Sequence, residues 1–283
     1  MSHDRLTRLL PAHWSGPILL ELAWHPLFAW ARGSLLIDET VMPKPWATAI
    51  ESLAWVYASQ ECQPVDGLSR VLLIWTAGTL RSPLGIRVWP QGGPSKYALA
   101  LALRSYARHR LRCRPEYVLF DAWYPAKALL KRICDDGWDL VCRLKKNRRF
   151  NGQALRTERC HPDWAEPGRL TGGLKVVVVR YGAQDCATNR LTLPAVEVRR
   201  LHQVRSQMEA GIRVCKTQLG LTGGQARSER AQQQHCTGCL SALCVLERER
   251  HDRGLTVYKL KRQLRCHGRM VVLPALEQLR QAA

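Results

Sequence analysis

Short apolar runs punctuated by glycine and proline fill the first half of the chain. Ser34–Ile37 (SLLI) reads as a buried strand that delivers Asp38-Glu39-Thr40 into a loop, with Pro43 and Pro45 stopping regular structure. Leu53–Ser59, Val71–Thr76 and Ile86–Trp89 are further strand candidates with Gly67, Gly78 and Pro83 between them, the spacing of an antiparallel meander. From Ser95 to Arg108 the period becomes helical, with Leu99, Leu103 and Tyr106 on one face. Tyr117–Phe120 (YVLF) is a second apolar run that ends on an acid, Asp121. Pro125 then opens a helix carrying Leu129, Leu130 and Ile133, which Gly137 closes. Trp138–Leu144 is the next strand and runs into the basic stretch Lys145–Arg149. A meander followed by strand, helix and strand predicts a mixed α/β domain with helices packed on its sheet.

Beyond Phe150 the rhythm breaks. Gly152, Pro162, Pro167 and Gly172-Gly173 interrupt residues 150–198, where Val176–Val179 and Leu191–Val198 supply strands, so this stretch reads as a β-rich insertion. A long helix is predicted from Arg199 to Leu219, ended by Gly220 and Gly223-Gly224, and residues 225–249 are helical again. The pattern thus divides the chain into a short helical segment (1–33), a first core part (34–149), the insertion (150–198) and C-terminal helices (199–283). No internal repeat is visible.

Charge narrows the partners. Against 23 acids stand 43 Lys and Arg, a net +20, with clusters at Arg104–Arg114 and Arg143–Arg149. Guanidinium forks match phosphate oxygens, which points to nucleic acid; a solvated basic surface is the plain alternative. With 46% hydrophobic residues a real core can form, which excludes wholesale disorder. The apolar runs are far below the ~20 residues of a membrane span, and the N-terminus has no apolar signal-peptide stretch. A cytoplasmic protein without a membrane partner is expected, and eleven scattered cysteines suit reduced, buried thiols.

Two acids at strand ends, Asp38 and Asp121, fall at the sheet edge where α/β proteins bind ligands; taken singly, Asp38 also suits a turn and Asp121 a helix cap. In the long helix, Leu201, Val204, Met208, Ile212, Cys215 and Leu219 follow spacings of 3, 4, 4, 3 and 4, one apolar seam. One position over lie His202, Arg205, Glu209 and Lys216, a polar stripe rotated ~100° from that seam. Such a stripe borders a cleft, although Arg205 and Glu209 also suit an ordinary i,i+4 surface pair.

These blocks resemble the bacterial insertion-sequence DDE transposases, in the insertion-sequence-4-like group. His202-x2-Arg205-x3-Glu209-x6-Lys216 is similar to the family's Tyr-x2-Arg-x3-Glu-x6-Lys signature. Asp38-Glu39-Thr40 resembles the Asp-Asp-Thr around its first acid, and Asp121-Ala122-Trp123-Tyr124 the Asp-x-Trp-Tyr around its second. The resemblance runs from about residue 34 to 265, with His for Tyr at 202 and Glu for Asp at 39. It implies an RNase H-like mixed sheet flanked by helices, with the β-rich insertion before the last catalytic helix. It also implies metal-dependent DNA cleavage and strand transfer at insertion-sequence ends in a bacterial cytoplasm, associated with the nucleoid.

By the same resemblance, Asp38, Asp121 and Glu209 form a triad for two Mg²⁺ ions, with Mn²⁺ as a substitute. Arg205 and Lys216 contact DNA near the cut, and His202 can meet a phosphate. Partners would be double-stranded DNA, both transposon ends and target, and a second copy of the chain. Lys145, Lys146, Arg148 and Arg149 are placed to hold the DNA backbone, or form a solvated run. Trp123, two residues from Asp121, is placed to stack on an unpaired base. Trp55, Trp75 and Trp138 lie in strand patterns and are expected in the core. The rival functions are an RNase H-like nuclease that cuts without joining and a catalytically silent DNA binder.

Other chemistry finds less support. Cys236-x2-Cys239 with Cys266-His267 has partial zinc spacing, but Cys236, Cys239 and Leu243 also fit a buried helix face. No nucleophile elbow and no phosphate-binding loop of the Gly-x4-Gly-Lys type occurs.

Overall fold

The computed structural model describes residues 16–24, 32–155 and 163–266. The short helical segment expected for residues 1–33 appears as α1 (Gly16–Trp24), whose Leu20 and Ala23 enter the core; most of the rest of that segment, and His267, lie outside the described residues.

The meander is present as β1 (Ser34–Pro43), β2 (Ala54–Ala58), β3 (Gln63–Ala77) and β4 (Leu80–Val88). β3 is the spine. Along one edge it pairs antiparallel with β1 over ten residues, and β2 and β4 pair with it in succession. α2 (Lys96–Ser105) follows, with the Ser95 hydroxyl accepting from the Ala98 N–H at its start. β5 (Tyr117–Phe120) then joins β1 in parallel, α3 (Lys127–Asp135) crosses over, and β6 (Asp139–Leu144) pairs in parallel with β5. The switch from antiparallel to parallel pairing at β1 gives the mixed sheet that the RNase H-like expectation requires.

β7 (Arg149–Phe150) and β8 (Gln153–Ala154) form a separate small hairpin. β9 (Asp163–Arg169), β10 (Lys175–Tyr181) and β11 (Gln184–Thr188) lie in the stretch read as an insertion. They extend the main sheet from the β6 edge, in the order β6-β11-β10-β9. Inside this extension the buried Arg180 grips Asp185 through two hydrogen bonds of 2.6 and 3.0 Å.

The predicted strand Leu191–Val198 is a correction. Residues 190–194 form a turn, and α4 (Ala195–Val204) starts there with Pro194 as its N-cap. The valines at 196 and 198 belong to a helix, where only Val198 faces inward; apolar runs this short do not distinguish strand from helix. The long helix expected from Arg199 is also two helices. α5 (Ser206–Gln218) begins immediately after Arg205, where i→i−3 bonds (Arg205 N–H to His202 O, Met208 N–H to Arg205 O) tighten the turn.

α6 (Glu229–Arg253) is capped by the Ser228 hydroxyl and by left-handed Gly254, and it lies across β4. α7 (Val257–Cys266) closes the described chain. Cys236, Cys239 and Leu243 are all buried on α6, the helix-face reading of that cysteine pair. Among the described residues no helix is long and apolar enough to cross a membrane.

Glu247 shows how α6 is fastened. Its carboxylate is fully buried between Arg81 of β4 at 2.6 Å and Arg250 at 2.8 Å. Removing the acid leaves two confined guanidinium groups facing each other, which costs about 3 kcal/mol or more. Glu247→Ala should therefore lower the urea midpoint strongly, whereas Glu249→Ala, whose acid pairs with the half-exposed Arg253, should leave it nearly unchanged.

Candidate active site

Pairing register sets the first two acids side by side. β1 and β5 run in parallel from Ser34↔Tyr117 to Ile37↔Phe120, and there β5 ends. The next residues of the two strands are Asp38 and Asp121. β1 itself does not end: it continues to Pro43, because β3 pairs with it all the way. Asp38 is therefore a mid-strand residue and not the first of a loop, and its turn reading fails. Asp121 is not a helix cap either, since Ala126 holds that position without a side-chain bond; the Asp121 Oδ1 accepts from the Trp123 N–H at 2.9 Å.

The third acid arrives on α5. Arg205, at the tightened turn, reaches all three carboxylates with one guanidinium: Asp38 at 3.0 Å, Glu209 at 2.7 Å and Asp121 at 4.0 Å. Three acids drawn from β1, the end of β5 and α5 thus converge on one point. Asp38 is nine-tenths buried there, and burial pushes its pKa up to about 7, against the pull of Arg205 and with a further push from Asp121. Glu209 is half-exposed.

Oxygen donors of this kind suit a hard divalent cation. Among the described residues no three His, Cys, Asp or Glu stand close enough to share one ion as arranged, and the Arg205 guanidinium lies between the carboxylates. The donor chemistry fits a metal; the cationic place between the acids is filled by Arg205.

The acids line an open cleft of about 950 Å³ together with Lys96, Trp123, Arg205, Arg213 and Lys216. Lys96 pairs with Glu39 at 2.8 Å. Lys216 is half-buried and donates to the Val41 carbonyl at 2.9 Å and to Gln60 at 3.3 Å, so it braces α5 against β1 at the cleft's edge. Trp123 separates this cleft from a second groove lined by Lys145, Asn147, Arg148 and Arg149, with the Lys145 ammonium 4.2 Å from the Trp123 ring centre. Lys146 leans instead toward Asp185 at 3.7 Å.

Two placements depart from the sequence reading. Trp55, expected in the core, is 67% exposed, and with Tyr57 it faces the same cleft from β2. Alternation along Ala54–Ala58 does carry that signal, since Ala54, Val56 and Ala58 take the buried face. His202 is drawn away from the rest of its stripe: its Nδ1 meets the Tyr181 hydroxyl at 2.6 Å. Burial holds its pKa down to about 4, with Arg205 and Arg143 adding repulsion, so the imidazole is neutral.

The family follows from comparison. The profile described as "Transposase DDE domain" matches residues 33–245, most of the chain. The chain belongs to the DDE transposase domain family. Members of this family use divalent metal ions. Among solved structures the chain is similar to a piggyBac transposase synaptic complex with hairpin DNA, at 12% identity and a TM-score of 0.55. That likeness covers 83% of this chain and 52% of the other, so the chain spans about half the length of that relative, and at this identity it shows a shared RNase H-like fold. No curated protein sequence matches.

His202 gives a pH test. An imidazole in the unfolded chain titrates near 6.5, and in the folded DDE domain this one titrates near 4. Between those values the unfolded chain binds a proton that the folded chain refuses, so stability rises with pH from about 4 to about 6.5 and is flat above. His202→Gln should remove that part of the slope: the gain in urea midpoint from pH 5 to pH 7 should be smaller in the variant than in the parent chain. Equal gains would show that the imidazole takes up its proton as readily in the fold as in the unfolded chain.

Proposed function

We propose that this chain is a transposase that cuts DNA at the ends of an insertion sequence and transfers the freed strand to target DNA. The convergence of Asp38, Asp121 and Glu209 on one guanidinium, in an open cleft beside a basic groove, carries the reading. Membership of the DDE family and the likeness to a transposase bound to DNA support it. Divalent cations, two Mg²⁺ exchangeable for Mn²⁺, would be held by Asp38, Asp121 and Glu209. Bound there, they would activate the attacking water or 3′-hydroxyl and stabilise the leaving oxygen.

The remaining work falls to the chain's own residues. Buried Asp38 is fixed by its strand and by the Glu39 N–H, which donates to its Oδ1 at 2.9 Å. Arg205, at the mouth of the acid cluster, would hold a phosphate beside the scissile bond. Lys145, Arg148 and Arg149 bind the backbone on the far side of Trp123, and Trp123, Trp55 and Tyr57 offer ring faces to bases leaving the stack. Lys216 positions α5 through Val41 and contacts DNA from the cleft's edge. His202, neutral and turned to Tyr181, supports α4 and carries no charge to a phosphate. Duplex ends, a target duplex and a second copy of the chain are the expected partners, in the bacterial cytoplasm and on the nucleoid.

Glu209→Gln keeps shape and removes charge. With Mg²⁺ and DNA carrying the flanking inverted repeats, the variant should lose cleavage by at least a hundredfold while binding DNA as tightly as the parent. Joined products from pre-cut ends, present with the parent chain and absent with the variant, distinguish a transposase from a nuclease that only cuts. Normal cleavage by the variant would remove Glu209 from the triad.

The basic groove predicts a different loss. Neutralising Lys145, Arg148 and Arg149 together should weaken binding to all duplexes alike and reduce the slope of log affinity against log salt by up to about 3, since phosphate contacts carry no base information. An unchanged slope would mean a solvated run.

A further inference from the structure

Away from the cleft, two cations are buried where no acid reaches them. Lys44, just past β1, and Arg70, mid-way along β3, are 5% and 2% exposed. The Lys44 ammonium donates to the carbonyls of Thr222 and Gly224, each at 2.6 Å. Arg70 Nη2 donates to Gln232 Oε1 of α6 at 3.1 Å and the guanidinium also meets the Cys236 thiol, while its Nε and Nη1 are buried without an oxygen or nitrogen partner. Among the described residues neither cation forms an ion pair with a carboxylate. Between them lies a small, partly open cavity, lined also by His235, Leu221 and Gln232, with room for about one water-sized occupant. It shares no lining residue with the catalytic cleft.

Buried charges are normally neutralised, and each uncompensated one costs several kcal/mol. Lysine can answer by shedding its proton; arginine cannot. Burial and the neighbouring Arg70 hold the Lys44 pKa down. Among the described residues no internal counter-ion is at hand. Cys236 lies beside both cations, but burial raises its thiol above the usual range, so it stays uncharged. His235, kept neutral by burial, turns its Nε2 to the Gly220 carbonyl.

We propose that this cavity binds a small inorganic anion, chloride in its commonest form, held by the unused N–H groups of Arg70 and by the Lys44 ammonium. The anion completes a joint in the fold. Lys44 directly follows the strand that carries Asp38, and Thr222 and Gly224 belong to the loop that follows the helix carrying Glu209. Neutralising the two cations holds the Lys44 ammonium on its carbonyls and the joint closed, so the anion fixes one acid-bearing element against another without touching DNA.

The full chain tests this without any DNA. At constant ionic strength, replacing gluconate by chloride or bromide should raise the thermal midpoint saturably, by about 3 °C. Arg70→Met, which keeps a long apolar stem and no charge, should show equal midpoints in all three salts. Should that variant not fold, crystals of the parent chain grown in bromide decide: an anomalous peak within hydrogen-bonding reach of Arg70 and Lys44 is expected. A cavity that holds only water at high bromide overturns the proposal, as does a midpoint indifferent to halide. Neither result bears on the DDE triad.

Discussion

Parallel pairing between β1 and β5 lasts four residues and then stops because β5 leaves the sheet, while β1 is carried onward by β3. That mismatch in strand length creates the cleft. It exposes one edge of β1 just where Asp38 stands and puts Asp121 at the same level on the departing chain. A β5 longer by two residues would cover Asp38 with a strand; a shorter one would withdraw Asp121 from it. The rest of the domain supports this arrangement: β3 keeps β1 straight past its lost partner, and α5 brings Glu209 over the opening.

Electrostatics then have to be managed in opposite senses on the two sides of β1. At the cleft, three acids gather in a chain whose net charge is +20, and one guanidinium answers all three. Asp38 is the critical member, since burial pushes it toward the neutral form and Arg205 offsets only part of that push. Toward α6 the surplus is positive, at Lys44 and Arg70, and the protein offers carbonyls, an amide and a thiol in place of a carboxylate. The two sides of one strand thus differ in how charge is met, by a guanidinium among acids at the cleft and by uncharged groups around cations toward α6.

Much of this was legible in the residues. SLLI-Asp and YVLF-Asp marked both strand acids, because a strand buried on both faces reads as a continuous apolar run and its polar terminator stands out. What did not show was how far β1 continues, since pairing with β3 is a long-range fact that outweighs the local effect of Pro43, which stands at the strand's end. Trp55 was misplaced for a related reason. Tryptophan in a strand pattern suggests burial, yet β2 is an edge strand whose inward face is already taken by Ala54, Val56 and Ala58. The Leu191–Val198 reading failed where a short apolar run carries no period to separate strand from helix.

The helix stripe is the most instructive case. On a uniform α-helix, His202, Arg205, Glu209 and Lys216 share one face, because seven residues bring the side chain almost back to its starting angle. The tightened turn at Arg205 breaks that uniformity. A residue bonded i→i−3 advances by about 120° and not 100°, so the faces of α5 are turned relative to a uniform continuation of α4. Arg205, Glu209 and Lys216 then face the cleft, while His202, one turn earlier, keeps to the frame of α4 and meets Tyr181 on the strand extension. The same break explains how one arginine serves three acids. Standing between two helices, Arg205 points along the opening toward Asp38 and across one turn to Glu209, a reach that a residue in mid-helix would spend on its own face. The motif spacing in the sequence therefore encodes a joint as well as a stripe, with the arginine at the pivot.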